Sequence, residues 1–153
     1  MRLTTLTGYA LRLLMHLAQR PERLCTIAEV AGSYGVSEAH MMKVTHQLGL
    51  AGWIETVRGK GGGMRLAHAL KDIGLGAVVL SMEPDFFMVE CFSSGHTCVL
   101  TGACKLTAVV EGALRSFMAY LDGNSLADIL TVPDNLAAMP VIHLVRAARE
   151  PVA

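Results

Sequence analysis

The chain has no uninterrupted apolar run approaching the ~18 residues of a membrane span, although 52% of its 153 residues are hydrophobic and its mean hydropathy is +0.44. The apolar stretch 9–18 is broken by Arg12 and His16, and no A-x-A-like cleavage site follows it, so it reads as a helix and not as a signal peptide. No membrane partner is expected, and the expected location is the cytoplasm. Cysteine is scarce. Four cysteines are too few for a disulfide-scaffolded domain, and no two of them form the C-x(2–4)-C pair usual for zinc. Internal repeats and low-complexity runs are absent. No nucleophile, base and orienting group stand in order near the cysteines, which argues against an enzyme.

The net charge is also zero, but it is unevenly spread. Residues 1–80 carry nine Lys/Arg against five Asp/Glu, a net of +4, and residues 81–153 carry a net of −4. A basic half joined to an acidic half suits a nucleic-acid binder with a separate regulatory part. In that second part, 90–106 reads ECFSSGHTCVLTGACKL and holds Cys91, Cys98 and Cys104 spaced C-x6-C-x5-C. Glycines and small polar residues between them let the backbone bend round a bound group, and a helical pattern starts directly after Cys104. Thiolates gathered in this way point to an iron–sulfur or metal site. The residues alone leave iron–sulfur, zinc and unliganded thiols open.

Three helices are expected first. In 4–19, Leu6, Ala10, Leu13, Leu14 and Leu17 fall at helical spacing behind a threonine cap, and Pro21 stops the run. Cys25, flanked by apolar residues, reads as a small core residue. Thr26 opens a short helix that Gly35 ends. Ser37 caps a third helix with Met41, Val44 and Leu48 inward and Glu38, His40, Lys43, Thr45, His46 and Gln47 outward. Two helices meeting at a glycine-containing turn form a helix-turn-helix, although an ordinary helical hairpin has the same pattern. The stretch WIETVRGKGGGMRL then supplies two β-type runs around a basic, glycine-rich tip. A hairpin there completes a winged helix, with the third helix in the major groove and the wing along the minor groove. No helix with Ser/Thr follows the glycines, so a P-loop is disfavoured.

Beyond the wing, 73–82 reads as a short apolar helix ending before Pro84. After the cysteine loop, Leu106, Val109, Val110, Ala113, Leu114, Phe117, Met118 and Leu121 recur at helical spacing. So broad a stripe is expected to pair two copies in a homodimer, with packing inside one chain as the alternative. Ser125 caps a short helix through Leu130, and prolines break up the tail. The expected fold is mainly α with a small β wing: a winged helix-turn-helix over 1–72, a cluster loop and long dimerisation helix over 73–131, and a tail over 132–153.

The stretches MRLTTLTGYALRLLMHLA, YGVSEAHMMKVTHQLGLAGWIETVRGKGGGMRL, EPDFFMVECFSSGHTCVLTGACKL and LDGNSLADIL together resemble the Rrf-two type of winged-helix iron–sulfur regulators over about residues 1–130. The entry MVECF and the closing LADIL are most similar to its nitric-oxide-sensing repressors, with the iron-responsive members second. The resemblance implies a homodimeric repressor of double-stranded operator DNA with nitric oxide as its signal. It implies a cluster on Cys91, Cys98 and Cys104, 4Fe-4S in preference to 2Fe-2S, whose damage changes DNA affinity. A zinc-stabilised DNA-binding protein is a further alternative. The DNA-contact residues expected are Arg2, Ser37, His40, Lys43, His46, Arg58, Lys60 and Arg65. Two positions depart from family patterns. One branch has a histidine where this chain has Thr107, which disfavours that branch. The nitric-oxide branch can supply an aspartate from the partner subunit where this chain has Gly8, which leaves the fourth ligand unassigned, with His96 as a local candidate and Glu90 as another.

Overall fold

The computed structural model describes residues 2–89 and 104–130. Helices α1 (Thr5–Ala18), α2 (Ile27–Tyr34) and α3 (Glu38–Leu50) come first. A hairpin of β1 (Ile54–Val57) and β2 (Gly63–Leu66) follows, then a 3-10 turn (Leu70–Asp72) and α4 (Leu75–Met82). Further along the chain come α5 (Lys105–Asp122) and α6 (Leu126–Leu130). Among the described residues, no helix is long and apolar enough to cross a membrane.

Local chemistry sets the starts of the first three helices. Thr4 Oγ1 accepts from the Thr7 amide (3.3 Å), Thr26 Oγ1 from Glu29 (3.2 Å) and Ser37 Oγ from His40 (3.4 Å). Each such cap contributes about 1 kcal/mol. Gly35 closes α2 in the left-handed conformation at φ 63°, sending the chain into the cap of α3. These two helices and their turn are the expected helix-turn-helix.

One core joins the elements. Leu13 and Leu14 of α1 meet Val30 of α2, Met41, Val44 and Leu48 of α3, Met64 of β2, Val78 of α4 and Leu126 of α6, all at 0–1% exposure. The strands pair antiparallel with Glu55 opposite Arg65 and Thr56 opposite Met64. Cys25 adds one bridge on the other side of β2: its N–H donates to Met64 O (3.0 Å) and its carbonyl accepts from Met64 N–H (2.8 Å). At the far end, the Leu75 N–H donates to Asn124 O (2.9 Å) and the Leu126 N–H to Ile73 O (2.8 Å), tying the α5–α6 corner to the entry of α4. Gly76 lets α5 approach α4 closely, since a Cβ there would collide with the Asp122 carboxylate.

The expected bounds shift slightly: α4 starts at Leu75, two residues later than the apolar pattern suggests, because the 3-10 turn comes first. Helix α5 packs along α4 but has no buried residue. Leu106, Val109 and Tyr120 are 61%, 67% and 76% exposed.

Candidate nucleic-acid interface and the cysteine segment

Helix α3 sits on the core through Met41, Val44 and Leu48 and turns His40, Lys43 and His46 to solvent. Ser37 is also exposed, but its hydroxyl is engaged, capping α3 and meeting His40 Nδ1 at 2.7 Å. That contact orients the imidazole, whose ring centroid lies 6.4 Å from that of Tyr9 on α1. Two residues expected on the outer face are not fully there. Thr45 is buried at 7% exposure and donates its hydroxyl to Met64 Sδ (3.5 Å). Gln47 is half-buried, with its Oε1 enclosed and unpartnered among the described residues. Met64 of the hairpin covers Thr45, and spacing along the helix could not reveal it. Conversely, Met42 is 58% exposed beside Lys43. An apolar side chain there can meet a thymine methyl group. Its only sequence signal was its place one residue beyond inward Met41.

The wing carries the remaining cations. Gly59 and Gly61 at the tip have φ of 100° and 77°, conformations that side-chain-bearing residues rarely adopt. Arg58 and Lys60 are exposed there, and neither has an ion-pair partner among the described residues. Arg65 differs. Its guanidinium holds the Glu55 carboxylate across the strands (Nε–Oε2 2.9 Å), so its charge is already engaged locally. An exposed pair of this kind is weak enough for a phosphate to compete. Arg2 stands elsewhere, in a cleft of about 400 Å³ with Thr4, Glu83, Pro84 and Asp85.

Of the cysteine-bearing segment 90–106, Glu90, Cys91, His96 and Cys98 lie outside the described residues. Cys104 is described, at the N-cap of α5 and half-exposed. Its side chain makes no cap hydrogen bond, yet the amides of Thr107 and Leu106 and the Thr107 hydroxyl hold its pKa below the ordinary thiol value. A helix N-terminus favours a negative group, in the same direction as that shift. Cys25, by contrast, is fully buried in the core, as its neighbours in sequence suggest.

A family model described as an iron-dependent transcriptional regulator, Rrf2, matches residues 3–132. The chain belongs to the Rrf2 family. This Rrf2 regulator is 43% identical over 141 residues to the HTH-type transcriptional regulator NsrR of Halalkalibacterium halodurans, covering 91% of this chain and 97% of that one. It is 41% identical over 153 residues to protein aau3 of Rhizobium meliloti, covering 99% and 96%. Among solved structures, T. potens IscR superposes with a TM-score of 0.68 at 26% identity over 85% of this chain and 86% of that one. The expected winged-helix fold and the NsrR-like assignment therefore hold. The protein is a DNA-binding transcriptional regulator and not an enzyme.

Proposed function

We propose that this regulator is a homodimeric repressor that holds an iron–sulfur cluster on Cys91, Cys98 and Cys104 and releases operator DNA in response to nitric oxide. The observation that carries the reading is Cys104, whose thiol pKa is held below its ordinary value at the head of α5, a helix with no buried residue. The donor set is soft and fits an iron–sulfur group, 4Fe-4S before 2Fe-2S. When bound, the cluster supplies iron with which nitric oxide reacts. The chain's own part is mechanical. Cys104 leads into α5, α5 packs along α4, and Ser81 of α4 accepts from Trp53 Nε1 (2.9 Å) at the base of the wing. On the other side of the loop, Glu83 Oε1 accepts from the Thr4 N–H (2.8 Å) and hydroxyl (3.2 Å) at the head of α1. Movement at Cys104 or Glu83 thus reaches the DNA-reading elements through packed and hydrogen-bonded groups. Arg58, Lys60 and Arg65 serve the backbone and minor groove, with His40, Lys43 and His46 at the major groove.

Anaerobic purification with iron and sulfide assay tests this. A brown protein is expected that is bleached by Cys91→Ala, Cys98→Ala or Cys104→Ala and not by Cys25→Ala. A colourless, zinc-containing protein would replace the cluster with a zinc-stabilised fold. A second reading, an iron-responsive regulator, draws support from Gly8, which offers no carboxylate where nitric-oxide-sensing relatives can have one. A side chain at position 8 meets nothing within 4 Å, so Gly8→Asp fits, and it should lengthen the cluster's lifetime in air. An operator complex that ignores nitric oxide but dissociates on iron chelation decides for the iron-responsive reading.

A further inference from the structure

Away from the cluster loop, three chemically different donors converge. His16 of α1, Cys25 of the bridge to β2 and Glu29 of α2 bring their ligand atoms within 4.8 Å of one another. His16 is 3% exposed, Cys25 0% and the Glu29 side chain 28%. His16 Nε2 stands 3.3 Å from Glu29 Oε1, close to the roughly 3.4 Å that two such ligands keep on one tetrahedral zinc. Closing the remaining separation to sulfur takes about 1 Å of side-chain adjustment. We propose that His16, Cys25 and Glu29 form a second metal site, specific for a zinc-class divalent ion and independent of Cys91, Cys98 and Cys104.

The chemistry of the donors supports a charged guest. One imidazole, one thiolate and one carboxylate neutralise a dication, and the mixture of nitrogen, sulfur and oxygen suits zinc or its spectroscopic substitute cobalt. The fourth position belongs to water, on the side where Glu29 is open to solvent. Without metal, Arg23 occupies the carboxylate: its Nη1 donates to Oε2 (2.8 Å) and its Nη2 to Oε1, while Arg20 Nε lies 3.5 Å from Oε1. Arg23 is thus a stand-in cation. It is 47% exposed and can swing into water, where little is lost by breaking an exposed pair. Burial and the nearby Glu29 charge keep the Cys25 thiol protonated, so metal uptake exchanges the dication for one proton from sulfur. The bound ion would clamp α1, α2 and the strand bridge beneath the wing, since Cys25 is hydrogen-bonded to Met64 through both its backbone groups.

The sequence allows a clean test, because the chain has only four cysteines. In a full-length variant carrying Cys91→Ala, Cys98→Ala and Cys104→Ala, Cys25 is the sole thiol. Any near-ultraviolet thiolate-to-cobalt absorption on titration with Co2+ must then come from Cys25. One Co2+ per chain with that band is expected, displaced by Zn2+. The band should vanish with Cys25→Ser in the same background, and affinity should fall at least tenfold with Glu29→Gln. Arg23→Ala removes the competing cation and should tighten Co2+ binding several-fold, a gain that a merely structural pair would not produce. Absence of the band in a triple variant whose circular dichroism shows it folded overturns the site. So does weaker binding in Arg23→Ala. If the triple variant fails to fold, the same titration on the chain with only Cys104→Ala, with and without Cys25→Ser, decides by whether the Cys25-dependent part of the band is present. None of these readouts depends on whether the loop cysteines hold a cluster.

Discussion

Helices α1 and α5 are written in the same pattern, with apolar residues at helical spacing, yet they end in opposite surroundings. Ala10, Leu13 and Leu14 of α1 are 0% exposed, enclosed by α3, α4, β2 and α6. Helix α5 is longer and buries nothing completely, with Leu106 at 61% and Val109 at 67% exposure. The difference shows that an amphipathic stripe specifies a demand for a partner surface and does not say where that surface is. For α1 the surface lies within the chain. For α5 the main surface among the described residues is α4, and its other side stays open there.

The largest effect should follow from cutting into the enclosed side. Leu13→Ala should cost about 2–5 kcal/mol of unfolding free energy, the range for a buried leucine replaced in a close-packed core, read as a lower urea midpoint. Leu106→Glu with Val109→Glu should leave that midpoint nearly unchanged while sedimentation shows a monomer and operator affinity drops, since one half-site contact is lost. A midpoint that falls as far as in Leu13→Ala would mean that α5 is packed within its own chain, and the contrast between the helices would fail.

Smaller effects are expected at the wing. Arg58→Ala with Lys60→Ala should lower the salt dependence of operator binding by about one unit of slope for each phosphate contact removed. Arg65→Ala should change it less, because Glu55 already shares that charge. Equal changes would show that the Glu55 pair opens fully on DNA. The smallest effect is a matter of pH. The Arg23 hydrogen bonds, helped by His16, hold the Glu29 pKa at about 2, down from 4.5. The folded chain therefore gives up this proton more readily than the unfolded chain. The stability that follows is complete above pH 4.5 and drains away as the pH falls toward about 2. Glu29→Gln should flatten that part of the acid-unfolding curve and leave its slope near neutrality unchanged.

The winged-helix fold was legible in the residues because its decisive signals are local. Thr4, Thr26 and Ser37 each cap a helix whose amides lie three residues away, and Gly35 and the wing glycines mark turns by the conformations they permit. The cysteine spacing was legible too, although of Cys91, Cys98 and Cys104 only the last lies among the described residues. Exposure on α3 was read less well: Lys43 and His46 face solvent as expected, whereas Thr45 is covered by Met64 from the hairpin and Met42 is open.

What the sequence by itself determined is where helices and strands begin, stop and turn, since those choices involve groups a few residues apart. Only the tertiary structure decided which side chains meet. Glu83 bonds to Thr4 across 79 residues, Arg65 faces Glu55 through strand register, and His16, Cys25 and Glu29 gather from α1, a bridge and α2. Those meetings follow from how three separately formed elements share one core, and the apolar residues that set the packing are not the polar ones brought together by it.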